Sequence, residues 1–104
     1  MAPLIEDNKD KILTVCDKHK LKYLYVFGSA ARGKDFNDKS DIDFLYAFDK
    51  EKIDFNSYTN NFFDFLFKLE ELLKRKIDLV YGEKISNPYF LKQVDLEKIK
   101  LYGN

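Results

Sequence analysis

There is one cysteine in the chain, Cys16, so no internal disulfide can form. Cysteine usage this low fits a reducing compartment, and the cytoplasm is the expected location. Tryptophan is absent, and the aromatic load is carried by ten Phe and seven Tyr. Only two prolines and four glycines interrupt the chain, which leaves no low-complexity tract, no linker and no repeat. Neither sign of charge is in excess: eighteen basic residues face eighteen acidic ones. A local basic patch aside, that balance argues against a protein that binds nucleic acid by bulk charge, and no direct nucleic-acid binding is expected. No apolar run is long enough to span a bilayer, so no membrane association is expected. The N-terminus reaches Glu6, Asp7, Lys9, Asp10 and Lys11 too soon for a secretory signal. With 104 residues, the expectation is a single domain over 1–104 with a modest core.

What is present is concentrated in residues 27–43, Phe-Gly-Ser-Ala-Ala-Arg-Gly-Lys-Asp-Phe-Asn-Asp-Lys-Ser-Asp-Ile-Asp. An apolar run from Tyr23 to Phe27 leads into Gly28-Ser29. A polar loop follows, and Asp41-Ile42-Asp43 opens a second apolar run from Phe44 to Phe48. Two carboxylates spaced i, i+2 on a strand project from one face. Like charges held side by side are costly unless a cation lies between them. A Gly-Ser turn at a strand end can offer backbone N–H groups to an anion. A divalent-metal site beside a phosphate site suggests phosphoryl or nucleotidyl chemistry.

Gly28-Ser29, Ala31-Arg32-Gly33 and Ser40-Asp41-Ile42-Asp43-Phe44 resemble the signature of the minimal nucleotidyltransferases, the smallest members of the DNA polymerase beta-like superfamily. Asp78, in Lys76-Ile77-Asp78-Leu79-Val80-Tyr81, matches that family's third carboxylate. The likeness runs from the first helix to Leu101-Tyr102. One departure is the loop: the family commonly has ten residues between Gly-Ser and the first Asp, and this chain has eleven, Ala30 to Ser40. The resemblance implies transfer of a nucleoside monophosphate from ATP to a hydroxyl, with Asp41, Asp43 and Asp78 as catalytic, metal-holding residues for two Mg²⁺ ions. It implies nucleotide contacts at Gly28, Ser29 and Arg32. It also implies a protein partner, because minimal nucleotidyltransferases often pair with HEPN-domain toxins and act as their antitoxins, by adenylylation or by contact.

Periodicity predicts an amphipathic helix over 4–19, strands over 22–27, 42–48 and 77–81, a long helix over 57–74, and a last helix from Asn87-Pro88 to about Val94. Lys98–Tyr102 alternates Lys and apolar residues, which allows a short closing strand. For Gly28-Ser29 to meet Asp41 and Asp43, the first two strands must run antiparallel. For Asp78 to join them, the second and third must run parallel, with the long helix as crossover. The expected fold is α+β: a three-stranded mixed β-sheet packed with helices, in the order α-β-(α)-β-α-β-α, as in the nucleotidyltransferase fold.

Each feature also has a plainer reading. Arg32 is either a solvated helix-end cation or a triphosphate ligand. Ser40 reads as a turn cap, Cys16 as a small buried apolar residue, and His19 as a cation at a helix C-terminus. Lys74-Arg75-Lys76 also suits a helix C-terminus. Phe62, Leu66, Leu69 and Leu73 read as core, with Phe65 and Leu72 beside them. Phe63 and Phe67 lie off that face; they either widen the core or form an apolar surface for a partner or a homo-oligomer. Three functions compete: an enzyme that modifies a protein, a non-catalytic antitoxin that neutralises its partner by contact, and a small-molecule transferase of the aminoglycoside-modifying kind. An intact carboxylate triad favours the first, and the lack of room for a second domain disfavours the third.

Overall fold

Two short helices open the chain in the computed structural model, which describes residues 1–103: α1 (Pro3–Asp7) and α2 (Lys9–Lys18). The single helix expected over 4–19 is broken at Asn8. Its side-chain amide donates to Leu4 O at 2.8 Å, the kind of local side-chain bond that competes with helix continuation. Ile5, Ile12 and Cys16 nevertheless stay buried. Strand β1 (Leu21–Phe27) follows, then the short α3 (Gly28–Arg32), β2 (Ile42–Phe48), a 3₁₀ turn (Phe55–Ser57), α4 (Tyr58–Leu73), β3 (Ile77–Tyr81), α5 (Pro88–Glu97) and β4 (Ile99–Gly103).

The sheet order is β3-β2-β1-β4. Strands β1 and β2 are antiparallel, β2 and β3 parallel, and α4 makes the crossover, as the sequence argument required. The sheet has four strands rather than the expected three. Strand β4 pairs antiparallel with the second edge of β1. Without it, a strand carrying the wholly buried Leu24 and Val26 would present an open ladder of backbone groups. The last helix also runs one turn past Val94, to Glu97, which matters for the site.

Alternation along the strands separates two faces. Leu24 and Val26 of β1, and Ile42, Phe44, Tyr46 and Phe48 of β2, join α1, α2 and α4 in the main core. The opposite face is thinly covered: Phe27 and Leu45 pack with Val94 of α5, flanked by Tyr23, Tyr25, Val80 and Ile85. Helix α5 starts as its sequence dictates. Pro88 sits in the first turn and the Asn87 side chain accepts from the N–H groups of Tyr89 and Phe90.

The buried stripe of α4 is centred on Phe65, Leu69 and Leu73, with Phe62, Leu66 and Leu72 on its margins. Phe63 and Phe67 are 47% and 58% exposed, with ring centroids 6.0 Å apart. They do not widen the core. His19 caps the C-terminus of α2, the position expected of it, and is buried there. Its Nδ1 lies 2.7 Å from Val15 O and its Nε2 2.5 Å from Asp64 Oδ2, so both ring nitrogens have a partner. The Asn61 amide donates to His19 O at 2.8 Å, completing a polar link between α2 and α4. Among the described residues, no helix is long and apolar enough to cross a membrane.

Candidate active site

The carboxylates lie on the thinly covered face. Asp43 shares its side of β2 with Leu45, and Asp78 shares its side of β3 with Val80. The parallel register sets Asp43 directly beside Asp78. Asp41 precedes β2 by one residue and projects to the same side. The antiparallel register places Phe27 opposite Asp43, so β1 delivers Gly28 to the carboxylates. Gly28 has φ +70°, and a Cβ there would overlap Asp43 Oδ2. Only glycine allows this approach without displacement. Helix α3 then ends at Gly33, also left-handed at φ 73°.

This crowding has an electrostatic consequence. The Asp43 carboxyl is pushed up from 3.8 to about 6, chiefly by burial, then by the charges of Asp78 and Asp41, with Arg32 pulling the other way. A cation would relieve that repulsion. The donor set is all oxygen, which suits Mg²⁺; that ion is commonly held by one or two carboxylates, with waters and substrate phosphates completing its shell. Among the described residues, no three His, Cys, Asp or Glu side chains form a ready-made metal cage. Asp41 Oδ2 faces Lys76 Nζ at 3.9 Å, an exposed pair.

The loop before Asp41 is held from behind. Arg75 donates to Ser40 O at 2.8 Å, and its guanidinium stacks 4.7 Å from the centre of the Phe36 ring. Ser40 Oγ accepts from the Asn37 N–H, the turn-capping role expected of it. Arg75 therefore positions the carboxylate loop, a role its place in a basic helix end did not reveal. Cys16 is inert: burial, then Asp17, pushes its thiol up to about 12.

Glu97 is the residue sequence reasoning missed. It closes α5, and its side chain is only 13% exposed. Its Oε2 accepts from the Gly28 N–H at 3.2 Å, and its Oε1 accepts from Arg32 Nη1 and Gln93 Nε2, both at 2.6 Å. Burial alone would raise the Glu97 carboxyl; the bonds from Gln93, Arg32 and Gly28 overcome it and hold the group below its ordinary value. Arg32 and Gly28, both expected to face phosphate, are thus bridged by a carboxylate of the chain itself. The only sequence signal was the i, i+4 spacing of Gln93 and Glu97, which hid behind the expectation that the helix ended at Val94.

A separate cleft of about 600 Å³, lined by Lys50, Ile53, Phe55, Tyr58, Thr59, Tyr81 and Lys84, lies at the opposite ends of β2 and β3 from the carboxylates.

The sequence profile described as "Polymerase beta, Nucleotidyltransferase" matches residues 10–104. A Methanocaldococcus jannaschii protein named "putative protein adenylyltransferase" is 35% identical over 85 residues, spanning 80% of this chain and 79% of that one. A solved structure described as a "putative minimal nucleotidyltransferase" superposes with a TM-score of 0.72 at 28% identity, covering 91% of this chain and 90% of the other. A second, described as a "toxin-antitoxin with AMP-PNP", superposes with a TM-score of 0.68 at 25% identity, covering 93% of this chain and 74% of that one.

Proposed function

The chain belongs to the polymerase beta nucleotidyltransferase family, and from that premise we propose that it moves AMP from ATP to a hydroxyl of a protein partner, the toxin of a toxin–antitoxin pair of the HEPN type. The observation that carries the reading is the pairing of Asp43 with Asp78 across β2 and β3, set against Gly28. Adenylylation of protein is supported by the name of the M. jannaschii relative, and a toxin partner by the toxin–antitoxin structure.

In this reading Asp41, Asp43 and Asp78 hold two Mg²⁺. With divalent ions held there, the site would supply a lowered pKa for the acceptor hydroxyl and charge stabilisation for the entering and leaving oxygens. The chain's own residues do the rest. The Gly28 N–H, Ser29 and Arg32 hold the triphosphate and orient it. The acceptor oxygen forms a bond to the α-phosphorus, the bond to the pyrophosphate oxygen breaks, and pyrophosphate leaves. Asp78 takes the proton of the acceptor hydroxyl; it is exposed at the start of β3, where an acceptor arrives. The exposed Phe63 and Phe67 are the proposed surface for the partner or for a second copy. That same surface favours a second reading, an antitoxin that neutralises by contact alone.

Titration calorimetry with ATP tests the nucleotide site. ATP should bind with Mg²⁺ and much more weakly in EDTA. Ser29→Ala combined with Asp43→Ala should abolish the metal-dependent binding. Equal affinity with and without Mg²⁺, or no effect of the double substitution, would contradict the assignment.

A further inference from the structure

We propose that Glu97 is an internal occupant of the phosphate-binding position, and that it sets how strongly nucleotide entry depends on metal. The inference rests on the transferase reading of the same site. Three observations carry it. One carboxylate spans the Gly28 N–H and the Arg32 guanidinium, a backbone donor and a cation that a phosphate would use together. Its carboxylate is largely withdrawn from solvent, and hydrogen bonds hold it in the charged form. It also lies on the Asp43 side of the site, adding a fourth negative charge to Asp41, Asp43 and Asp78.

The consequence is electrostatic. Among the described residues, Arg32 is the cation bonded at this position, and Glu97 pairs with it at 2.6 Å. A triphosphate without metal therefore meets the negative charges of Asp43 and Asp78 and an Arg32 already paired with Glu97. To enter, it must turn the Glu97 side chain away and take its donors. Helix α5 need not move: Val94 is wholly buried against Phe27 and Leu45 and anchors the helix, while the carboxyl group swings on its own side-chain bonds. Gln93, one turn earlier, can keep its bond to the displaced oxygen.

The test uses inorganic tripolyphosphate in EDTA, so that neither metal nor base contributes. Wild type should bind it weakly. Glu97→Gln, which keeps the shape but loses the charge, and Glu97→Ala should each bind about tenfold tighter, the factor expected when a charge-assisted bond no longer has to be broken. Adding Arg32→Ala to Glu97→Ala should remove the gain, since the freed cation is its source. Unfolding midpoints of the variants confirm that comparisons are between folded proteins, and Glu97→Gln serves if Glu97→Ala does not fold. Tripolyphosphate affinity unchanged or reduced in both Glu97 variants, with wild type still binding Mg-ATP, would overturn the proposal and leave the transferase reading intact. Tighter tripolyphosphate binding by the variants, in a protein that binds no Mg-ATP, would uphold the occupant and remove the transferase reading. Binding of neither ligand by any variant would overturn both.

Discussion

Gly28 lies so close to the Asp43 carboxylate that a methyl group on it would overlap Asp43 Oδ2, and its backbone is left-handed at φ +70°. The turn and the carboxylate are therefore one unit, placed by the antiparallel register of β1 and β2. Gly28→Ala should cost roughly 1–2 kcal/mol from the left-handed backbone alone. It should also push the Asp43 carboxylate aside and weaken Mg-ATP binding by about tenfold or more, as misplaced ligating groups do. Denaturant unfolding and calorimetry on the same preparation check both parts. A variant with wild-type stability and affinity would mean that Gly28 and Asp43 are not coupled.

The raised Asp43 carboxyl predicts a pH dependence. Its folded value, about 6, exceeds its ordinary 3.8. The folded protein therefore holds this proton more tightly than the unfolded chain. The associated stability is complete below 3.8 and is lost as pH rises through about 6. Asp43→Asn never ionises, so in EDTA its melting temperature should rise relative to wild type as pH climbs through that window. Glu97, Asp64 and Glu83, whose carboxyls are lowered, act with the opposite sign, but they are present in both proteins and largely cancel in the difference. A gap that stays flat or narrows with pH would contradict the buried-charge account.

His19 belongs to the scaffold. Its ring links Val15 O to Asp64 and stacks at 5.7 Å from Phe65. His19→Ala leaves a void and strips two polar bonds, for an expected loss of about 2 kcal/mol. Mg-ATP affinity of the folded variant should be unchanged, because the link lies on the helix-covered face. Loss of binding at full stability would instead place His19 in the site.

Helix α4 ends with Lys74 in the left-handed region at φ 54°, where its N–H reaches Glu70 O. Lys74→Gly should relieve strain and stabilise the protein by up to about 1 kcal/mol, the added flexibility of the unfolded chain offsetting part of the gain. Chemical denaturation measures it directly. A destabilised variant would show that the Lys74 side chain contributes contacts that outweigh its backbone strain.

Much of this fold was legible because two local signals agreed with one chemical requirement. The run Phe44–Phe48 and the segment Ile77–Tyr81 announced strands, and the need to gather Asp41, Asp43 and Asp78 fixed their directions. The fourth strand was legible as the alternation over Lys98–Tyr102, but its place in the sheet was not. Ile99–Gly103 pairs with the far edge of β1, and nothing in the carboxylate argument bears on that edge. The break at Asn8 was hidden because Ile5, Ile12 and Cys16 keep helical spacing across it. Glu97 was illegible for a different reason. Its partners Gly28 and Arg32 are separated from it by 69 and 65 positions, and a charged residue at a helix end normally signifies a solvated surface. Arg75 was masked in the same way by its basic neighbours.

The central claim is nucleotidyl transfer to a protein, and the most direct measurement is mass spectrometry of the proteins encoded beside this one, after incubation with it, ATP and Mg²⁺. The account predicts that one of them gains the mass of an AMP group on a hydroxyl side chain. It also predicts that the Asp41→Asn/Asp43→Asn double variant, folded and with the same side-chain size, adds nothing. No added mass from wild type across the candidate partners and nucleotides, or equal modification by the double variant, would contradict it.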